Sequence, residues 1–132
     1  MDKFEQLFAE YPFTLTDELV KKNTADILAK HTAENTTREV WMQCLHQIDL
    51  TTLNGDDTTE KVATMAEKVN DFDGHFPGVP NVAAMCVYPA LVETAREILT
   101  EPIGIAAVAA GFPASQTFIE VKVAEAAMAV AA

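Results

Sequence analysis

Apolar residues change their spacing along this chain. In the first forty-odd positions they form short helical stripes in a polar background: Phe4, Leu7, Phe8 and Tyr11, punctuated by Pro12, then Leu19, Val20, Ile27 and Leu28 behind a Thr16 start signal. Thr36 to His46 predicts a third helix, with Val40, Trp41, Cys44 and Leu45 as its buried side. From Leu45 onward the pattern becomes strand, loop, helix, and it repeats three times. The first strand, Ile48-Asp49-Leu50-Thr51-Thr52-Leu53-Asn54, ends in a carboxylate, hydroxyls and an amide. Asp57 with Glu60 gives a capping-box-like helix start, and Val62, Met65, Ala66 and Val69 follow at helical spacing. The second strand, Val82 to Val87, is a continuous apolar run of the kind buried on both faces. Pro89 suits the first turn of its helix, where Leu91, Val92, Ala95, Ile98 and Leu99 are apolar. The third strand, Ile103 to Ala109, closes at Gly111-Phe112-Pro113. Thr117 with Glu120 then predicts a capped helix burying Ile119, Val123, Ala126, Ala127 and Val130.

Strands alternating with helices at this spacing predict right-handed βαβ crossovers and a parallel sheet, hence an α/β fold. Residues 1–44 read as an N-terminal helical extension and residues 45–132 as the α/β part. A carboxylate at the carboxyl end of a strand that runs into a helix is where α/β enzymes hold polar chemistry. The alanine-rich helical pattern still runs at Ala132, so the sheet or barrel it belongs to is expected to be unfinished within this chain.

Charge and composition narrow the chemistry. The 132 residues are 49% hydrophobic and carry a formal charge of −11, which repels polyanions and argues against nucleic acid or an anionic membrane as partner. A small phosphate ester stays open, because backbone amides and one or two cations are enough to hold it. Two cysteines make no disulfide framework, no apolar segment follows Met1-Asp2-Lys3, and no run approaches a membrane span, so a cytoplasmic location is expected. Cys44 and His46 lie two apart with no second Cys/His pair after them, which gives no zinc pattern. His31 and His75 read as surface histidines. No glycine-rich nucleotide loop is present.

Three motifs in order carry a family resemblance. Asp49-Leu50-Thr51-Thr52-Leu53-Asn54 with Asp56-Asp57-Thr58 and Glu60-Lys61-Val62, then Ala84-Met85-Cys86-Val87-Tyr88-Pro89, then Gly111-Phe112-Pro113 with Glu120-Val121-Lys122 and Ala124-Glu125, resemble the deoxyribose-phosphate aldolases. The resemblance runs from about Leu45 to Ala132. It implies a TIM (β/α)8 barrel and a class I aldolase needing neither metal nor other cofactor. Such an enzyme reversibly cleaves 2-deoxy-D-ribose 5-phosphate to acetaldehyde and D-glyceraldehyde 3-phosphate. A lysine Schiff base, a second lysine that lowers the first one's pKa and a proton-relay aspartate would do the chemistry.

None of those three groups has a matching position here. Lys3, Lys21, Lys22, Lys30, Lys61, Lys68 and Lys122 all fall in helical patterns, and a barrel of about 250 residues needs more than the three units present. The chain is therefore read as the N-terminal portion of such an aldolase, inactive alone, with no catalytic residue of its own. Supporting positions are carried over by resemblance: Asp49 facing the barrel mouth near the lysines, Thr51 and Asn54 beside it, and Cys86 near the substrate pocket. The plain alternatives are a loop or cap carboxylate for Asp49 and a small buried hydrophobe for Cys86. Expected partners are small phosphorylated sugar and aldehyde substrates, with self-association through exposed strand edges or a homo-oligomer. The other reading is a non-catalytic α/β scaffold or assembly module derived from the barrel.

Overall fold

A computed structural model describes residues 2–11 and 14–132 and separates into two compact units, Met1–Thr37 and Arg38–Ala132. The punctuating Pro12 lies outside the described residues.

The first unit holds α1 (Lys3–Glu10) and α2 (Asp17–Asn35). Asp2 caps α1 by accepting from the Phe4 and Glu5 amides at 2.7 and 2.9 Å, and Glu5 returns the bond by accepting from the Asp2 amide at 2.9 Å. This reciprocal arrangement satisfies orphan donors at both residues. Thr16 caps α2, as its position in the sequence predicts, with its hydroxyl 3.2 Å from the Leu19 amide. Neither helix buries a residue, and the Phe4, Leu7, Phe8 and Tyr11 stripe is exposed.

The second unit runs α3 (Arg38–Leu45), β1 (Asp49–Thr51), α4 (Thr59–Asn70), α5 (Phe72–His75), β2 (Ala84–Val87), a 3-10 turn (Pro89–Leu91), α6 (Val92–Ile98), β3 (Gly104–Ala107) and α7 (Ile119–Ala131). The strands form one parallel sheet in the order β1-β2-β3, with Asp49, Ala84 and Gly104 in one row and Thr51, Cys86 and Ala106 in another. Each strand is shorter than its apolar run, and β1 opens on Asp49 rather than ending in it. Backbone bonds from the Ala83 amide to the Ile48 carbonyl, the Thr52 amide to the Cys86 carbonyl and the Val108 amide to the Val87 carbonyl carry the pairing one residue past the strand ends before each run joins a loop.

Alternation along the strands sorts the sheet into two faces. Met85 and Val87 are fully buried against Val62, Ala66 and Val69 of α4 and Leu91, Val92 and Ala95 at the start of α6, with Leu50, Ile105 and Ala107 packed alongside. Each such aliphatic side chain contributes about 1.5–3 kcal/mol when fully withdrawn from water. Two asparagines tie helix ends to neighbouring loops. Asn70 donates to the Ile98 carbonyl at 2.8 Å and accepts from the Thr100 amide at 2.9 Å, while Asn81 donates to the Val69 carbonyl at 2.8 Å.

Several expectations are corrected. Helix α4 is capped by Thr58, whose hydroxyl accepts from the Lys61 amide at 3.2 Å, and not by Asp57, whose carboxylate points into the preceding loop. Helix α7 starts after Phe118 with no side-chain cap, so Thr117 and Glu120 form no capping box. No residue of α7 is buried: Ile119, Val123, Ala127 and Val130 are exposed and Ala126 is half-buried. The helical period is right, but no described element covers that face. In α3 the periodicity likewise overstates burial, because Trp41 and Cys44 are exposed while Val40 and Leu45 are half-buried.

Met85→Ala removes a fully buried side chain from the central strand and should cost about 2–5 kcal/mol, whereas Trp41→Ala should stay within about 0.5 kcal/mol. Urea midpoints followed by far-ultraviolet circular dichroism check the contrast.

Candidate functional site

The two faces of β1 carry different chemistry. On the face away from α4 and α6 stand Asp49 and Thr51, with Ala84 and Cys86 from β2 and Gly104 and Ala106 from β3. These are small or polar groups on an uncovered surface, with Asp49 and Thr51 exposed and Cys86 half-buried. Thr51 and Cys86 are direct register partners, so their side chains are neighbours across the two strands. The Thr51 hydroxyl donates to the Asp49 carbonyl at 2.8 Å. The Ile48 carbonyl and the Thr52 amide bond to β2, so by alternation the Asp49 carbonyl faces the outer edge of β1, where no strand pairs with it.

Asn54, the fourth residue singled out from sequence, does not share this face. Its amide nitrogen turns back to the Thr52 hydroxyl at 3.2 Å and to Asp57 Oδ1 at 3.4 Å. It is a loop-holding group.

What the sequence reading missed is the partner that Asn54 turns to. The Asp57 side chain is only 1% exposed and sits at the centre of the turn between β1 and α4. Thr52 Oγ1 lies 2.9 Å from both carboxylate oxygens, the Asn54 amide donates to Oδ2 at 3.0 Å, and Lys61 Nζ stands 2.5 Å from Oδ1. The i,i+4 spacing of Asp57 and Lys61 was the available signal. The Lys61 ammonium is the main reason the Asp57 carboxyl is lowered from 3.8 to about 2; burial opposes it, and bonds from Thr52 and Asn54 add to it. Lys61 is raised in turn by its bond to Asp57, which holds its amine protonated.

Across the same loop, Tyr88 at the end of β2 donates its phenol to the Leu53 carbonyl at 3.2 Å. After β3 the chain turns at Gly111, where φ is 75°, a conformation strained for any residue with a side chain, and an added Cβ would press on Thr117 Cγ2 at 3.0 Å. The Gly111 amide donates to Glu125 of α7 at 2.9 Å. His75 and His31 are held locally, His75 Nδ1 3.0 Å from the Asp71 carbonyl and His31 paired with Glu34, while His46 Nδ1 reaches 2.9 Å across the chain to the Asn81 carbonyl. Among the described residues no group of three or more His, Cys, Asp or Glu side chains could hold a metal, and no helix is long and apolar enough to cross a membrane.

Comparison with known proteins finds relatives by sequence. The deoxyribose-phosphate aldolase of Homo sapiens is 34% identical over 124 residues, a match taking in 84% of this chain, and that of Bos taurus is 32% identical over the same length. This chain is a homologue of the deoxyribose-phosphate aldolases. It spans 39% of the length of these two aldolases. No family model matches it.

Because the Asp57 carboxyl is lowered in the fold, its contribution to stability is fully present above pH 3.8 and is lost as pH falls toward 2. Asp57→Asn should therefore be less stable than the parent at neutral pH and show a shallower fall in stability between pH 4 and 2. Thermal unfolding across an acid pH series reads both effects.

Proposed function

We propose that this chain supplies the first three βα units of a TIM-barrel aldolase that cleaves 2-deoxy-D-ribose 5-phosphate through a lysine Schiff base located outside it. The observation that carries the reading is the uncovered sheet face, where Asp49, Thr51 and Cys86 stand among alanine and glycine. In a closed barrel that face is the interior, and Thr51 and Cys86 lie toward the carboxyl ends of their strands, the end at which barrel enzymes bind substrate. Strand order β1-β2-β3 with α4 and α6 on the opposite face is what consecutive barrel units require.

In this reading Asp49 holds the ammonium protons of lysines contributed by later strands. Thr51 and Cys86 line the aldehyde end of the substrate. The lysines of this chain have other places. Lys3 lies on α1, Lys21, Lys22 and Lys30 on α2, Lys61 and Lys68 on α4, and Lys122 on α7, none of them on the open sheet face. Lys61, bound to Asp57, is held in the protonated form that cannot attack a carbonyl.

Borohydride reduction after incubation with acetaldehyde tests this assignment. No lysine should acquire an ethyl group stoichiometrically, and a single fully modified lysine would overturn the placement of the Schiff base outside this chain. The unpaired outer edges of β1 and β3 and the exposed apolar face of α7 further predict self-association. Sedimentation velocity should show species larger than a 14.3 kDa monomer, and a single monomeric boundary would count against it.

A further inference from the structure

We infer that Asp57 is a positioning residue which, by holding the Thr52 hydroxyl on the helix side of the sheet, fixes the Thr51 side chain on the open face beside Cys86. The inference rests on the proposed reading only in treating that face as the site, and its test reads side-chain geometry rather than turnover.

Successive side chains of an extended chain point to opposite faces, so locking one residue sets the direction of the next. Thr52 directly follows the last residue of β1 and is locked twice. Its amide donates to the Cys86 carbonyl at 3.0 Å, and its hydroxyl meets both oxygens of Asp57 at 2.9 Å. Thr52 is itself buried at 7% exposure, and its hydroxyl takes the carboxylate as partner. The carboxylate cannot follow a moving Thr52, because Lys61 and the Asn54 amide hold it from the other side. The Tyr88 phenol on the Leu53 carbonyl closes the remaining freedom of the loop.

The consequence on the open face is specific. With the chain kept extended through Thr52, the Thr51 hydroxyl reaches the Asp49 carbonyl and spends its one proton there. Thr51 then presents only lone pairs to whatever occupies the face, which suits a ligand that arrives with a hydroxyl or ammonium proton to donate. A valine at Thr52 or an uncharged amide at Asp57 leaves the fold its core but frees the Thr51 rotamer.

The test is nuclear magnetic resonance on the isotopically labelled 132-residue chain, comparing the parent with Thr52→Val, Thr52→Ser and Asp57→Asn. Three-bond couplings to Thr51 Cγ2 report its rotamer, and the methyl shifts of Leu50, Met85 and Val87 report the core. The parent and Thr52→Ser should show couplings of one staggered rotamer. Thr52→Val and Asp57→Asn should lose them to averaged values while the core methyls stay in place. Unchanged Thr51 couplings in Thr52→Val overturn the inference, as does averaging in which the core methyls shift equally, since that is general loosening. If Asp57→Asn fails to fold, Thr52→Val, which exchanges a hydroxyl for a methyl group, decides alone.

Discussion

The structure depends on the unequal covering of a small parallel sheet. Helices α4 and α6 press on the face that carries Met85 and Val87, and the core lies entirely on that side. Parallel strands need crossover connections, and right-handed crossovers put consecutive helices on the same face. The opposite face is left to Asp49, Thr51, Ala84, Cys86, Gly104 and Ala106. An extended run of apolar side chains there would need a second layer. Small and polar side chains tolerate an open surface, and in a closed barrel they would face a cavity.

That division places two kinds of polar chemistry a residue apart. Thr51 and Thr52 are adjacent and identical, yet one is exposed on the open face and the other is buried beneath the loop against Asp57. Pairing with Lys61 and the surrounding donors offset what it costs to withdraw the Asp57 carboxylate from water. The Asp57 and Lys61 charges are thereby held together away from the open face, where Asp49 is the one charged residue among those in register. The homology to deoxyribose-phosphate aldolases gives this arrangement its functional direction, and the match spans 39% of the length of the human aldolase.

Much of the fold was legible in the residues. The helical spacing of Val62, Ala66 and Val69 and of Leu91, Val92 and Ala95 identified the buried faces of α4 and α6, and Thr16 and Pro89 marked two helix starts. Periodicity failed where burial depends on a neighbour. In α7 the face predicted to be buried recurs at helical spacing, but Ile119, Val123, Ala127 and Val130 stay exposed, Val130 at 89%. Capping failed at Asp57 because a carboxylate near a helix start has two uses. Thr58, one residue later, took the amide of α4 and freed Asp57 for the loop.

By itself the sequence determined the order of strands and helices, the polar and acidic character of the chain and the family to which the α/β part is similar, because each of these follows from local spacing and residue type. Only the tertiary structure decided which candidate side chains stand together. Strand register brought Thr51 and Cys86 side by side from positions far apart in the chain, and loop closure turned Asn54 inward and made Asp57 the centre of a network. Register and closure are set by how strands pair and how a turn packs. Neither leaves a periodic signature in the chain.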